Sequence, residues 1–156
     1  MSMKEAFHCI DWVTIFLFAG MLSMSAAMQK SGAAALVANT LVSSVSGPYM
    51  LMFASCALTM ILTNFMSNTA TAALMAPLAL PIAVGGGVSP LPLMMGICMS
   101  ASACFLTPIA TPPNTIVLTP GRYSFMDYIK AGWPLQIISL ILCVFVIPMI
   151  WPFTVK

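Results

Sequence analysis

The chain has 156 residues, 61% of them hydrophobic and 5% charged, with a mean hydropathy of +1.05. That composition excludes an ordinary soluble globular domain and marks an integral membrane protein. Five basic and three acidic residues, net +2, lie scattered, so there is no basic patch for nucleic acid.

Residues 12–29 form an apolar run long enough to cross a ~30 Å hydrocarbon core as a helix. It starts behind Asp11 and lacks a basic leader with an A-x-A cleavage site, so it reads as a first span rather than a cleaved signal peptide. Ser31 and Gly32 break it. Residues 33–46 mix Ala, Leu and Val with Asn39, Thr40, Ser43, Ser44 and Ser46, too short and polar to cross, and are expected as an interfacial helix.

Gly47-Pro48 punctuates the chain, and residues 49–84 are apolar except around Thr63, Asn64 and the tripeptide Ser67-Asn68-Thr69. One continuous helix there would be about 54 Å long at ~1.5 Å per residue, well beyond the bilayer core. Ser and Asn satisfy local backbone groups outside regular helix and serve as caps, so the break is expected at residues 67–69. The result is a re-entrant helical hairpin with a polar tip deep in the membrane. Pro77 and Pro81 weaken a straight-helix alternative.

After Gly85-Gly86-Gly87, residues 91–120 form an apolar stretch interrupted at Thr111-Pro112-Pro113-Asn114. Two consecutive prolines remove two donors and disfavour helix before them, which predicts a span broken mid-membrane. Residues 121–132 carry Arg122, Asp127 and Lys130 and read as a loop or surface helix. Residues 133–153 make a last span with Trp133, Trp151 and Phe153 near its ends. Lys4, Arg122 and Lys130 then share one side against Lys30 and Lys156, a bias toward a cytoplasmic N-terminus.

No Asp, Glu, Lys, Arg or His occurs from residue 31 to residue 121. An anion bound there would have to be held by hydroxyls, amides and backbone N–H groups at helix N-termini. The arm after Thr69 and the helix resuming after Pro113 each offer such an end, and the facing half-helix carbonyls suit Na⁺, as in discontinuous helices of secondary transporters. Proton coupling through a buried carboxylate is disfavoured. Ser, Thr and Pro also serve as packing and kink residues in membrane helices; the joint occurrence of a polar tip, a Gly-rich turn and a broken span is what favours function. The five cysteines (Cys9, Cys56, Cys98, Cys104, Cys143) lack CxxC spacing, so neither disulfide nor metal cluster is expected. The 15 Met are expected as core and lipid-facing filler, and His8 as an interfacial residue.

The segments IDWVTIFLFAGMLSMSAAMQKSG, LTNFMSNTATAALMAPL and ACFLTPIATPPNTIVLTPGRYSFMDYIKAGWPL, in this order, resemble the divalent anion:sodium symporter family, carriers of di- and tricarboxylates and sulfate. The resemblance implies an all-α membrane fold of transmembrane helices plus a re-entrant hairpin and a broken helix, one inverted-repeat half of a secondary transporter. It implies substrate contacts from Ser67, Asn68, Thr69, Thr111 and Pro112. It also implies a Na⁺ held by Thr63, Asn68 and the carbonyls of Met66 and Ala110, with Ser67, Pro113 and Asn114 shaping the two loops. Met66 departs from the small residue expected before the tripeptide, a change that a carbonyl ligand tolerates.

Family members carry two such repeats, and only one tripeptide and one broken span occur here, resembling the C-terminal repeat. The expectation is a chain inactive by itself, a fragment or half that needs an N-terminal repeat or partner chain. The complete carrier would be a homodimer in a bacterial inner membrane, with Na⁺ as coupling ion and no other cofactor. Sulfate, a C4-dicarboxylate and citrate all remain within this reading. The alternatives are a non-transporting structural remnant or assembly subunit and, last, an intramembrane enzyme, for which no acid, base or metal cluster is apparent.

Overall fold

The computed structural model describes residues 12–45, 47–108, 111–118 and 120–154. Its elements in chain order are α1 (Trp12–Lys30), α2 (Ala33–Ser44), α3 (Pro48–Phe65), α4 (Asn68–Gly85), α5 (Pro90–Ser102), α6 (Pro112–Leu118) and α7 (Phe125–Ile150). No strand occurs among the described residues, and α3, α4 and α7 are each long and apolar enough to cross a membrane. The chain is an all-α, multi-pass membrane protein.

Between α1 and α2 the turn rests on Gly32, whose φ of 78° is a left-handed conformation that a side chain would disfavour. The hydroxyls of α2 turn back on its own backbone. Thr40 donates to the Leu36 carbonyl at 2.8 Å and Ser44 to the Thr40 carbonyl at 2.7 Å, which lets polar residues sit on this helix without outside partners. The helix ends at Ser44, and Ser46 lies outside the described residues.

Residues 49–84 divide into two 18-residue helices joined only by Met66 and Ser67. Each arm is about 27 Å long at ~1.5 Å per residue, so by length and composition each can reach across a bilayer. Pro77 and Pro81 do not end α4, which runs through both to Gly85. The cost of their missing N–H groups is spread over two turns whose other faces are packed, with Met75, Leu78, Ala79, Ile82 and Ala83 buried.

The two arms pack chiefly against α5, and less against each other. Met52, Cys56 and Met60 of α3, Leu93 and Ile97 of α5 and Cys143 and Ile147 of α7 fill the core with the α4 residues. Helices α1 and α2 cover the other side of α4.

Two boundaries differ from the sequence reading. The break in residues 91–120 begins after Ser102 and precedes the prolines, because Pro112 and Pro113 open α6. Proline suits a first helical turn, where an N–H has no intrahelical acceptor anyway. The final helix starts at Phe125, not near 133, and ends at Ile150. Its start is fixed by the Asp127 carboxylate, which accepts from the Ser124 backbone N–H and hydroxyl, each at 2.8 Å. The charged residues Asp127 and Lys130 therefore lie on the first turns of α7 instead of in a separate loop or surface helix.

Candidate functional site

Ser67 is the N-cap of α4: extended (φ −67°, ψ 150°), with its Oγ accepting the Ala70 N–H at 3.3 Å. Its carbonyl accepts the Thr71 N–H at 2.9 Å. That leaves the N–H groups of Asn68 and Thr69, first and second in the helix, without intrahelical acceptors. No acidic side chain lies in this first turn to neutralise them. Asn68 and Thr69 are half-buried, while Ser67 is exposed.

Thr63, one turn before the tip, is completely buried. Its Oγ1 lies 2.6 Å from the Ala101 carbonyl oxygen at the end of α5 and 3.0 Å from Asn68 Oδ1. A threonine hydroxyl has one proton, and the shorter contact to Ala101 uses it. Its lone pairs then face an amide oxygen, an arrangement satisfied by turning the Asn68 amide to donate or by a small cation between the two oxygens. Hydroxyl and amide oxygens are hard donors of the kind that alkali and alkaline-earth cations take. The structure thus brings Thr63 and Asn68 together. Met66 is the extended C-cap of α3, its N–H donating to the Leu62 carbonyl at 3.0 Å. Ala110 lies outside the described residues, as does the side chain of Pro112.

The break loop is held from both sides. On the α3 side, buried Asn64 accepts the Leu106 N–H on Oδ1 at 3.2 Å, and its backbone carbonyl accepts the Thr107 hydroxyl at 2.9 Å. The Asn64 amide nitrogen donates to the Met60 carbonyl at 2.7 Å, which fixes the side chain on its own helix. On the α6 side, Asn114 Nδ2 donates to the carbonyls of Cys104 (3.3 Å) and Thr107 (3.2 Å), spanning the loop. The Thr115 hydroxyl reaches the Pro108 carbonyl at 2.7 Å, and the Tyr128 hydroxyl of α7 donates to the Asn114 carbonyl at 2.8 Å. Half-buried Thr111 and exposed Pro113 stand at the exit of this loop.

No hydrogen bond among the described residues joins residues 67–69 to residues 111–114; the link runs through Asn64 and Thr107. The expectation of an anion-binding helix N-terminus after Pro113 needs correction. The first two positions of α6 are prolines without N–H groups, and the helix has only seven residues, so its donors and its dipole are both small. Among helix ends at the tip and break loop, only α4 offers free donors at a long helix. Sequence reasoning gave no role to Asn64, Thr107 or Tyr128; the available signal was an amide beside Thr63 in an otherwise apolar run.

The sequence model of the citrate transporter family matches residues 1–154 of this chain. An uncharacterized transporter of Escherichia coli (strain K12) is 45% identical over 152 residues, covering 96% of this chain and 25% of its own length. The sodium-dependent high-affinity dicarboxylate transporter 3 of Caenorhabditis elegans is 31% identical over 92% of this chain and 25% of its own length. The sodium-dependent dicarboxylate transporter SdcS of Staphylococcus saprophyticus is 30% identical over 92% and 28%. The chain therefore spans about a quarter of the length of these curated relatives. Its relatives are transporters, and its apolar helices and bacterial relatives correspond to a multi-pass protein of the bacterial inner membrane. With a family match over nearly all its residues and dicarboxylate transporters among its relatives, the chain belongs to the citrate transporter family, among the divalent anion:sodium symporters.

Proposed function

We propose that this chain supplies one half of a Na⁺-coupled site for a small divalent anion, a di- or tricarboxylate or sulfate. The observation that carries the reading is the pair of oxygens of Thr63 and Asn68, 3.0 Å apart at the free N-terminal end of an 18-residue helix. The relatives that are sodium-dependent dicarboxylate transporters support both the anion class and the ion.

In this reading Thr63 and Asn68 take Na⁺ on their side-chain oxygens, joined by the carbonyls of Met66 and Ala110. The free N–H groups of Asn68 and Thr69 face the anion, aided by Ser67, Thr111 and Pro112. Asn68 serves both ligands, with its side chain on the cation and its backbone toward the anion. Na⁺ fixes the Asn68 rotamer and so prepares the tip, which is how cation binding raises anion affinity. The field of the cation also offsets part of the cost of bringing two negative charges into a low-dielectric site that has no basic side chain. No cofactor beyond Na⁺ enters this scheme. The second tip and second broken helix would come from an N-terminal repeat or partner chain, and the complete carrier would be a homodimer.

Asn68→Ala in a complete carrier is expected to weaken Na⁺ and anion binding together, each by about tenfold or more. Equilibrium binding of labelled succinate, citrate or sulfate across a Na⁺ titration measures both. Unchanged affinity for both ligands would sink the assignment.

A further inference from the structure

An apolar groove runs along the seam between α3 and α7. Its wider stretch encloses about 500 Å³ between Ile61 and Phe65 of α3 and Ile129, Trp133 and Ile137 of α7, with Leu106 and Thr107 of the break loop beside them. A narrower stretch of about 290 Å³ shares Ile137 and Leu140 with the first and continues to Phe145. From Phe125 to Phe145 the two stretches follow α7 for about 30 Å at ~1.5 Å per residue, close to the thickness of a bilayer core. Ile61, Phe65, Trp133 and Ile137 are all exposed along it.

One group does not belong in an apolar groove. Gln136 lines the wider stretch, is only 9% exposed, and its Oε1 is buried with no hydrogen-bond partner among the described residues. The nearby amides of Asn64 and Asn114, by contrast, are bonded to the backbone around them. An unpaired amide in apolar surroundings costs free energy that a partner would recover. Turning the Gln136 amide about its last bond exchanges oxygen and nitrogen, so a partner in the groove can meet it with a donor or an acceptor.

Taking from the reading above that a second half completes the site, we propose that this groove seats a membrane-spanning helix of that half, and that the helix brings a hydrogen-bonding side chain to Gln136. The chain spans about a quarter of the length of its curated relatives, so most of such a carrier lies outside it. Phe65, a wall of the groove, stands two residues before Ser67, so whatever comes up to the tip also comes up to the groove. A helix supplies apolar side chains for the walls and a polar one for Gln136, and side-chain hydrogen bonds of this kind join helices in membranes. A lipid acyl chain fits the shape but carries neither donor nor acceptor and leaves the amide unpaired.

The test puts a diazirine-bearing leucine analogue at position 137, where the two stretches join. The assembled carrier and this chain alone are irradiated in phosphatidylcholine vesicles, and the adducts are identified by mass spectrometry. The chain alone is expected to give a phosphatidylcholine adduct, and the assembled carrier an adduct on a membrane-spanning peptide from outside this chain. Gln136→Met keeps the length of the side chain and removes its amide; it is expected to lower the yield of the peptide adduct by about threefold or more. A phosphatidylcholine adduct in the assembled carrier, or one on a second copy of this chain, overturns the proposed occupant. A peptide adduct of unchanged yield in Gln136→Met overturns the part given to Gln136. The wild-type adduct decides the occupant even if Gln136→Met does not assemble. Irradiation is done without Na⁺ or anion, so a failure here leaves the ligand assignments to the Asn68→Ala binding experiment, and a failure there leaves the groove result standing.

Discussion

Thr63 has a single proton and two oxygens within reach, and the Ala101 carbonyl at 2.6 Å takes it. A substitution series at this one residue separates packing from chemistry. Thr63→Val keeps the volume but leaves the Ala101 carbonyl without its donor in a buried place, at a cost of about 1–3 kcal/mol. Thr63→Ser keeps the hydroxyl. If the hydroxyl is a Na⁺ ligand, binding is lost in Thr63→Val and retained in Thr63→Ser, as isothermal titration with sodium would read. Equal loss in both would assign the residue to packing alone. Ser67→Ala removes the cap from α4 and is expected to destabilise it by about 1 kcal/mol, seen as faster exchange of the Ala70 amide. The capping role of Ser67 was legible in the sequence, because a Ser three residues before an unpaired N–H is a local relation. The role of Asn64 was not. Its partners, Leu106 and Thr107, lie 42 and 43 residues away, and spacing within a helix carries no information about such a contact.

At the scale of elements, the apolar runs and their punctuation located the helices, and errors arose where one residue type suits two positions. Pro-Pro marks a break, but it suits the start of a helix as well as the end of one, and here it opens α6. Residues 121–132 read as a loop or surface helix because of their charges, and Asp127 in fact caps α7, whose first turns reach back to Phe125. That extension brings Gly132 against the break. A Cβ at Gly132 would run into the carbonyl of Phe105, which is backbone and cannot rotate aside. Gly to Ala inside an unobstructed helix stabilises by up to ~1 kcal/mol, so the sign of the change reports the contact. Gly132→Ala is expected to destabilise by about 1–3 kcal/mol and to speed exchange at Leu106. A stabilised variant with an unaltered loop would mean that α7 and the loop are farther apart.

For the molecule as a whole, α7 presents a long run of exposed apolar side chains among the described residues, with Ile138, Ile141, Leu142, Phe145 and Met149 facing outward and Met149 82% exposed. Such a surface suits lipid or neighbouring membrane helices and is unsuited to water. Membrane class followed directly from composition, and an all-helical fold from the lengths of the apolar runs together with the family resemblance. The bonds that tie the end of α3 to the break loop did not, since they depend on which helix ends the packing of α3, α4 and α5 brings together. The polar groups at that end comprise one tip and one break loop, and the proposed carrier needs two of each. Uptake is therefore expected only when this chain is assembled with a second repeat.

The most direct measurement is uptake of labelled succinate, citrate and sulfate into proteoliposomes holding the assembled carrier, with an inward gradient of Na⁺ or of K⁺. The proposed site requires uptake of at least one of these anions with Na⁺ and not with K⁺, abolished by Asn68→Ala. Uptake that ignores Na⁺, or that survives Asn68→Ala at the wild-type rate, would contradict it.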